Sequence, residues 1–178
     1  SKIYVNNEFN VTNTVNIQVG EQVPYSGTPI SIPGIIEPGL YDKFEGGIGQ
    51  NIAYVDTSIG NNGDFRTEEN VDAVSNNQEG AIVGWITAGE WLEYSIDVQT
   101  DGKYNLEIRY ASGNPNGGGP FYLEIDGVKV SLDISVPTSN DWGNWASKTV
   151  NNIEFTSGEH VLRLVATNGE FNLGKLNF

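Results

Sequence analysis

The chain has no cysteine, a single histidine and only 9 basic residues among 178. Without cysteine there is no disulfide framework and no thiolate-held zinc or iron–sulfur centre, although a secreted fold without crosslinks stays open. The one histidine, His160, lies in "TSGEHVLRL" at the head of a strand-like run. A Ser-His-Asp triad or a histidine metal site would depend entirely on it, so a turn or surface histidine is the expectation. Against the 9 basic residues stand 23 acidic ones, a formal charge of −14. That charge repels nucleic acid phosphates and anionic lipid surfaces within a Debye length, making both poor partners. No apolar run of about 18 residues is present, as a membrane-spanning helix would need. The opening "SKIYVNNEFN" has no apolar stretch of the signal-peptide kind, so a mature chain or an excised piece is expected.

The chain is also poor in helical periodicity and rich in alternation. In "AIVGWITAGEWLEYSIDV", residues 81–98, the apolar Leu92, Tyr94, Ile96 and Val98 share one parity, and Trp91, Glu93, Ser95 and Asp97 the other. Alternation of this kind marks a strand with one buried face, and it leaves a tryptophan on the wet side. The same reading covers "YNLEIRYA" (104–111) through Leu106, Ile108 and Tyr110, and "FYLEIDG" (121–127) through Phe121, Leu123 and Ile125. Further strands are expected over 146–155, 160–167 and 171–178, divided by turn sequences such as "TSGE" and "TNGE". With 38% hydrophobic residues the chain suits one domain, and 22 glycines and 7 prolines without a fixed period favour an antiparallel sandwich over a solenoid. The expected fold is therefore all-β, a sandwich of jelly-roll type. Residues 1–30 are asparagine-rich and less regular, and read as a linker remnant or an added edge strand, with the domain over 31–178.

Three loops carry candidate chemistry. Residues 56–72, "DTSIGNNGDFRTEENVD", hold side-chain oxygens suited to calcium or to an ordinary solvated loop, but not in EF-hand order. Residues 112–120, "SGNPNGGGP", read as a plain connector. In 137–145, "PTSNDWGNW", Trp142 and Trp145 sit in a polar stretch, where an aromatic either folds back onto the core or stays exposed for binding. An enzyme reading would use Glu93 and Glu124, both on outward parities. A retaining glycosidase needs two carboxyl groups about 5 to 5.5 Å apart, whereas outward glutamates on strands are usually solvated.

"IVGWITAGEWLEY", a glycine and an aromatic followed by a short linker, an acidic residue and a tryptophan, closely resembles a motif of family 6 carbohydrate-binding modules. In order along the chain, "IPGIIEPGLYD" (32–42), "AYVDTSIGNNGDFRT" (53–67), "VPTSNDWGNW" (136–145), "SGEHVLRL" (157–164) and "GEFNLGKLNF" (169–178) agree with it. The resemblance covers about 31–178. It implies a non-catalytic, galactose-binding-like β-sandwich attached to a polysaccharide-degrading enzyme, with a sugar site in loops at one end and, in some members, another on a concave sheet face. The module would be monomeric and, with its parent, secreted by a bacterium.

Carried over by position, the loop-site aromatics fall on Trp85 and Trp142 and the closing asparagine on Asn172, with Asp56 and Arg66 as further members. Aromatic rings suit the apolar C–H face of a pyranose, and an amide serves both donor and acceptor hydroxyls. The sheet-face tryptophan falls on Trp91, with Glu93, Tyr122 and Glu124 beside it and Val165 where some members carry a lysine. The alternative for Trp91 is a ring covered by the N-terminal extension. The family's structural calcium is in question, because its two carboxylate positions read Gly39 and Gly174; an ion that had moved would be sought at Glu37 and the 56–72 loop. No other cofactor is required. The resemblance favours a β-1,3-glucan such as laminarin, since tryptophan where the family often has tyrosine is similar to its β-1,3-glucan binders. Xylan, other β-glucans and agarose stay open, as do the small polysaccharide-active enzyme and a protein-adhesion sandwich.

Overall fold

The computed structural model describes residues 20–178. These form strands β1 (Gln22–Val23), β2 (Ile30–Ile32), β3 (Ile35–Ile36), β4 (Lys43–Phe44), β5 (Tyr54–Val55), β6 (Ala73–Asn76), β7 (Gly80–Val83), β8 (Trp91–Val98), β9 (Gly102–Ala111), β10 (Gly118–Ile125), β11 (Val128–Lys129), β12 (Ile134–Val136), β13 (Ala146–Phe155), β14 (Gly158–Ala166) and β15 (Asn172–Asn177). One sheet runs β11-β10-β14-β8-β2, with β12 on β10 and β5 on β8. The other runs β13-β9-β15-β7-β6, with β3 on β15. The long pairs are antiparallel, and β2 joins β8 in parallel.

Alternation decides which face closes. Leu92, Tyr94, Ile96 and Val98 of β8 are buried, as are Leu106, Ile108 and Tyr110 of β9 and Phe121 and Leu123 of β10. The register sets Leu162 opposite Tyr94 and Leu164 opposite Leu92, so neighbouring strands turn the same parity inward. Together these residues form one core cluster, each such side chain stabilising the fold by about 1.5 to 3 kcal/mol. Ile125, at the end of its parity, is only half-buried beside the β10–β11 turn. The expected all-β sandwich is the observed fold, and the expected strands reappear at 146–155, 158–166 and 172–177.

The expected boundary at residue 31 falls inside β2. Of the 1–30 segment, residues 20–30 supply β1, which pairs with β4, and the first residue of β2; residues 1–19 lie outside the described ones. Behind β4 the fold is tied by Arg66. Its side chain is 7% exposed, lies 3.5 Å from the Tyr41 ring centroid, meets Glu69 at 2.7 Å and donates to the Tyr41 and Asp42 carbonyls.

The oxygens of the 56–72 loop close local turns. Asp56 Oδ1 accepts from Ser58 N and Oγ, Asn61 Oδ1 from Gly63 N, and Asp72 Oδ1 from Asn62 N and Nδ2. Asp and Asn side chains do this wherever a chain must reverse without a ladder partner.

His160 is not a free surface residue. Its side chain is 15% exposed. Nδ1 meets Asp126 Oδ2 at 2.7 Å, and Nε2 faces the Thr156 carbonyl at 3.0 Å. Two acceptors facing the two ring nitrogens favour the imidazolium, and the Asp126 bond leads the causes that raise the His160 pKa. A raised folded-state value means that this stabilisation is complete below about pH 6.5 and is lost as pH rises through the folded-state pKa. Thermal melts of wild type and His160→Gln should therefore differ most below pH 6 and converge toward pH 9. A gap that widens with pH would contradict the pairing.

Candidate functional site

At one end of the sandwich a cleft of about 530 Å³ is lined by Trp85, Ile86 and Thr87 from the β7–β8 loop, Trp142 from the β12–β13 loop, and Glu170, Phe171 and Asn172 at the entry to β15. Two of the chain's large exposed hydrophobic residues, Trp85 at 58% and Trp142 at 47%, meet here. Apolar rings on show beside a few polar groups are the makings of a ligand site.

Trp85 is held at φ +48°, left-handed backbone that a bulky residue adopts only at a cost of about 1 to 2 kcal/mol. What fixes the loop is Glu90, 9% exposed. Its carboxylate accepts from Thr57 N and Oγ1 at 3.2 and 2.9 Å and from Thr87 N and Oγ1 at 2.8 and 2.9 Å. The two threonine hydroxyls also meet at 2.8 Å. Sequence reading passed over Glu90, although Thr87-x-x-Glu90 has the spacing of a capping box, in which a glutamate reaches back to a backbone N–H three residues earlier.

Trp142 rests on the segment expected to be a plain connector. A Cβ at Gly113 would lie 2.6 Å from the indole Nε1, so only glycine leaves room for the ring. Ser139 N donates to the Ser112 carbonyl at 2.9 Å, Ser112 N to Ser139 Oγ at 2.9 Å, and Asn144 Nδ2 to the Ser139 carbonyl at 2.6 Å. Asn172 also serves this loop, through an Nδ2 bond of 2.8 Å to the Trp142 carbonyl. One amide hydrogen is thereby spent within the protein, and the carbonyl oxygen, 2.9 Å from where a Gly84 Cβ would stand, packs against Gly84. Trp145, half-buried, lies instead over the outer side of the sheet beside Arg109, its ring 3.0 Å from a Cβ built on Gly174.

Trp85, Trp142 and Asn172 therefore come together, whereas Asp56 and Arg66 do not line the cleft. Asp56 is 7% exposed and caps its own turn, and burial leads the causes that raise its pKa. Arg66 is spent on Tyr41, Asp42 and Glu69. Both lie in a loop whose insertions blur the register, so position along the chain misled. The cleft's remaining charged residue, Glu170, had no signal beyond its place next to "FN".

On the sheet face, Trp91, Glu93, Tyr122 and Glu124 share the outward surface across β8, β14 and β10. It is not a bare platform. The Arg163 guanidinium lies 4.3 Å from the Trp91 ring centroid, meets Glu93 at 2.5 Å and lies 3.6 Å from Glu124, while Lys129 Nζ stands 4.2 Å from the Tyr122 ring. Among the described residues, what lies over Trp91 is an arginine on the neighbouring strand; residues 1–19 of the N-terminal extension lie outside them. The same arginine stands between Glu93 and Glu124 and pairs with both.

The two positions at which the resemblance places calcium carboxylates, Gly39 and Gly174, leave no room for a side chain. A Cβ at Gly39 would lie 2.9 Å from the Ala81 Cβ, and one at Gly174 3.0 Å from the Trp145 ring and 3.1 Å from the Arg109 Cβ. Nearby carboxylates are engaged: Glu37 Oε2 accepts from Ala81 N at 2.8 Å, and Glu79 Oε1 from Arg109 Nε and Nη2 at 3.0 and 2.8 Å. Among the described residues no group of three or more histidine, cysteine, aspartate or glutamate side chains is placed to hold a metal.

A jelly-roll sandwich with an aromatic cleft at its loop end has the build of a sugar-binding module. The family model for carbohydrate binding module family 6 matches residues 57–178, and the chain belongs to that family, one of non-catalytic β-sandwich modules. Its fold is shared with the C-terminal family 6 module of a marine laminarinase from Zobellia galactanivorans (TM-score 0.60, 21% identity, 82% of this chain and 98% of that one). A β-1,3-glucan-binding family 6 module from Bacillus halodurans is similar (TM-score 0.58, 18% identity, 85% and 98%). Endo-1,4-beta-xylanase B of Cellvibrio japonicus is 31% identical over 98 residues, 55% of this chain and 15% of that enzyme. This chain therefore spans a small part of that relative's length, and homologous segments are parts of carbohydrate-active enzymes.

The backbone at Trp85 yields a test. Trp85→Gly and Trp85→Ala should both lose glycan binding, but glycine accepts positive φ freely, so the glycine variant should be the more stable by about 1 kcal/mol. Denaturant unfolding of the two variants checks this, and equal stability would mean that position 85 is not strained.

Proposed function

We propose that this chain is a non-catalytic module that holds an appended glycoside hydrolase on a β-1,3-glucan, taking a chain end into the Trp85–Trp142 cleft. The observation that carries this reading is the pair of exposed tryptophans on one cleft, each fixed by its own hydrogen-bonded loop. Stacking on such rings is indifferent to sugar linkage, so preference within the neutral glycans rests on cleft shape and on Asn172 and its neighbours. The β-1,3-glucan choice is supported by Trp85 itself and by the laminarinase module and the β-1,3-glucan binder among the folds it resembles. The xylanase relative makes xylan the second probe. Secretion by a bacterium alongside the parent enzyme belongs to the same reading.

The sheet face enters this reading as a secondary surface. With Arg163 over Trp91, it offers a row of compensated charges to a long chain rather than a stacking platform. Calorimetry with a short β-1,3-gluco-oligosaccharide, and affinity electrophoresis in laminarin, separate the two surfaces. Trp142→Ala should weaken oligosaccharide binding by about 1 to 3 kcal/mol with the fold intact, as expected for a central aromatic anchor. Trp91→Ala should leave it unchanged. Tighter binding of xylo- than gluco-oligosaccharides would overturn the glucan choice.

We further infer that side-chain cations take the place of the family's ion: Arg109 on Glu79, and Lys175 Nζ on the Gln78 carbonyl at 3.1 Å. Melting in excess chelator and in millimolar calcium should give the same midpoint. A chelator-sensitive midpoint would show that an ion is held after all.

A further inference from the structure

The cleft is lined by one charged side chain, Glu170. Glu170 sits at φ +71°, left-handed backbone that favours glycine, yet the residue there is a glutamate. Its main chain is clamped on two sides. Ser112 Oγ donates to the Glu170 carbonyl at 2.7 Å, and a Cβ at Gly118 would lie 2.4 Å from that same oxygen, so only glycine lets β10 pass so close. Its carboxylate is oriented by Asn114 Nδ2, which donates to Oε2 at 3.0 Å. Oε1 has no hydrogen-bond partner among the described residues, and no lysine or arginine lines the cleft.

Its polar neighbours have less to offer. The Thr87 hydroxyl is engaged with Glu90 and Thr57, and Asn172 has spent one amide hydrogen on Trp142. The strongest acceptor left facing a ligand is the oriented carboxylate, which takes hydrogen bonds from hydroxyl groups and has none to give. Glu170 is exposed, so a second negative charge close beside it is repelled through solvent, and added salt screens that repulsion.

We propose that Glu170 is a specificity-determining residue: it accepts hydrogen bonds from the hydroxyls of a neutral terminal sugar and rejects a terminal uronic acid. This rests on the reading of the cleft as a chain-end site. Loops that merely needed a spacer between Asn114 and Asn172 would not require a charge, and it is the charge that discriminates.

The test compares matched oligosaccharides by calorimetry: a neutral β-1,3-glucotriose and its analogue oxidised to the uronate at C6 of the terminal sugar, with a xylotriose and a glucuronate-ended xylotriose as a second pair. Wild type should bind the neutral member of a pair at least about tenfold more tightly than the acidic one, by a ratio that shrinks as salt is raised. Glu170→Gln, which keeps the shape and an oxygen for Asn114, should bind the neutral sugar several-fold less tightly and bring the ratio near one, independent of salt. A ratio unchanged in Glu170→Gln would overturn the proposal and leave Glu170 a loop tether. Discrimination on the xylose pair alone would sustain Glu170 and defeat the glucan reading. No binding of any of the four by wild type would defeat both.

Discussion

At the loop end of the sandwich, the Glu90 carboxylate sets where two segments far apart in sequence must lie. Withdrawn from water at 9% exposure, it is satisfied by four donors, two from Thr57 and two from Thr87. Removing a carboxylate from water without partners costs several kcal/mol, so the bonds form together or the loops do not close. Thr87 lies two residues after Trp85, and Glu90 immediately precedes Trp91 and the long strand β8. One acidic side chain therefore couples the exposed ring to the sheet.

That coupling lets the cleft hold backbone that isolated peptides avoid. Two of its lining residues, Trp85 and Glu170, have positive φ, and Asn140, close to Trp142 in its loop, has it too. Each such residue costs about 1 to 3 kcal/mol and persists only where its surroundings over-determine it. Here the surroundings are Glu90, the Ser112–Ser139 pair, and the glycines at 113 and 118 that let backbone and ring approach closely. A ligand meeting rings already in place has less conformational freedom to freeze.

The same economy of charge runs through the whole molecule. A chain with few cations uses its arginines as internal ties: Arg66 to Glu69, Arg109 to Glu79 and Arg163 to Glu93. Each glutamate in these pairs is largely buried, so the ties hold segments together while the solvent face keeps its acidic excess. On the sheet face this covers the Trp91 ring with a guanidinium; beside Gly174 it puts an ion pair where the family's sequence pattern would lead one to look for an ion.

Some of this was legible before any coordinates. Alternation in β8, β9 and β10 identified the inward residues, because successive side chains of a strand point to opposite faces whatever the rest of the chain does. The motif around "GWITAGEW" singled out Trp85, and its companions Trp142 and Asn172 follow from their own short motifs. What could not be read were Glu90, Gly113 and Glu170, the distance of Asp56 and Arg66 from the cleft, and the arginine over Trp91. These rest on contacts between residues widely separated in sequence, such as Thr57 with Glu90, Ser112 with Glu170 and Glu93 with Arg163. The sequence by itself determined the strands and their buried faces, because backbone geometry is local. Only the tertiary structure decided which loops share a cleft and which charges cancel, because sheet register and loop closure bring those groups within hydrogen-bond reach.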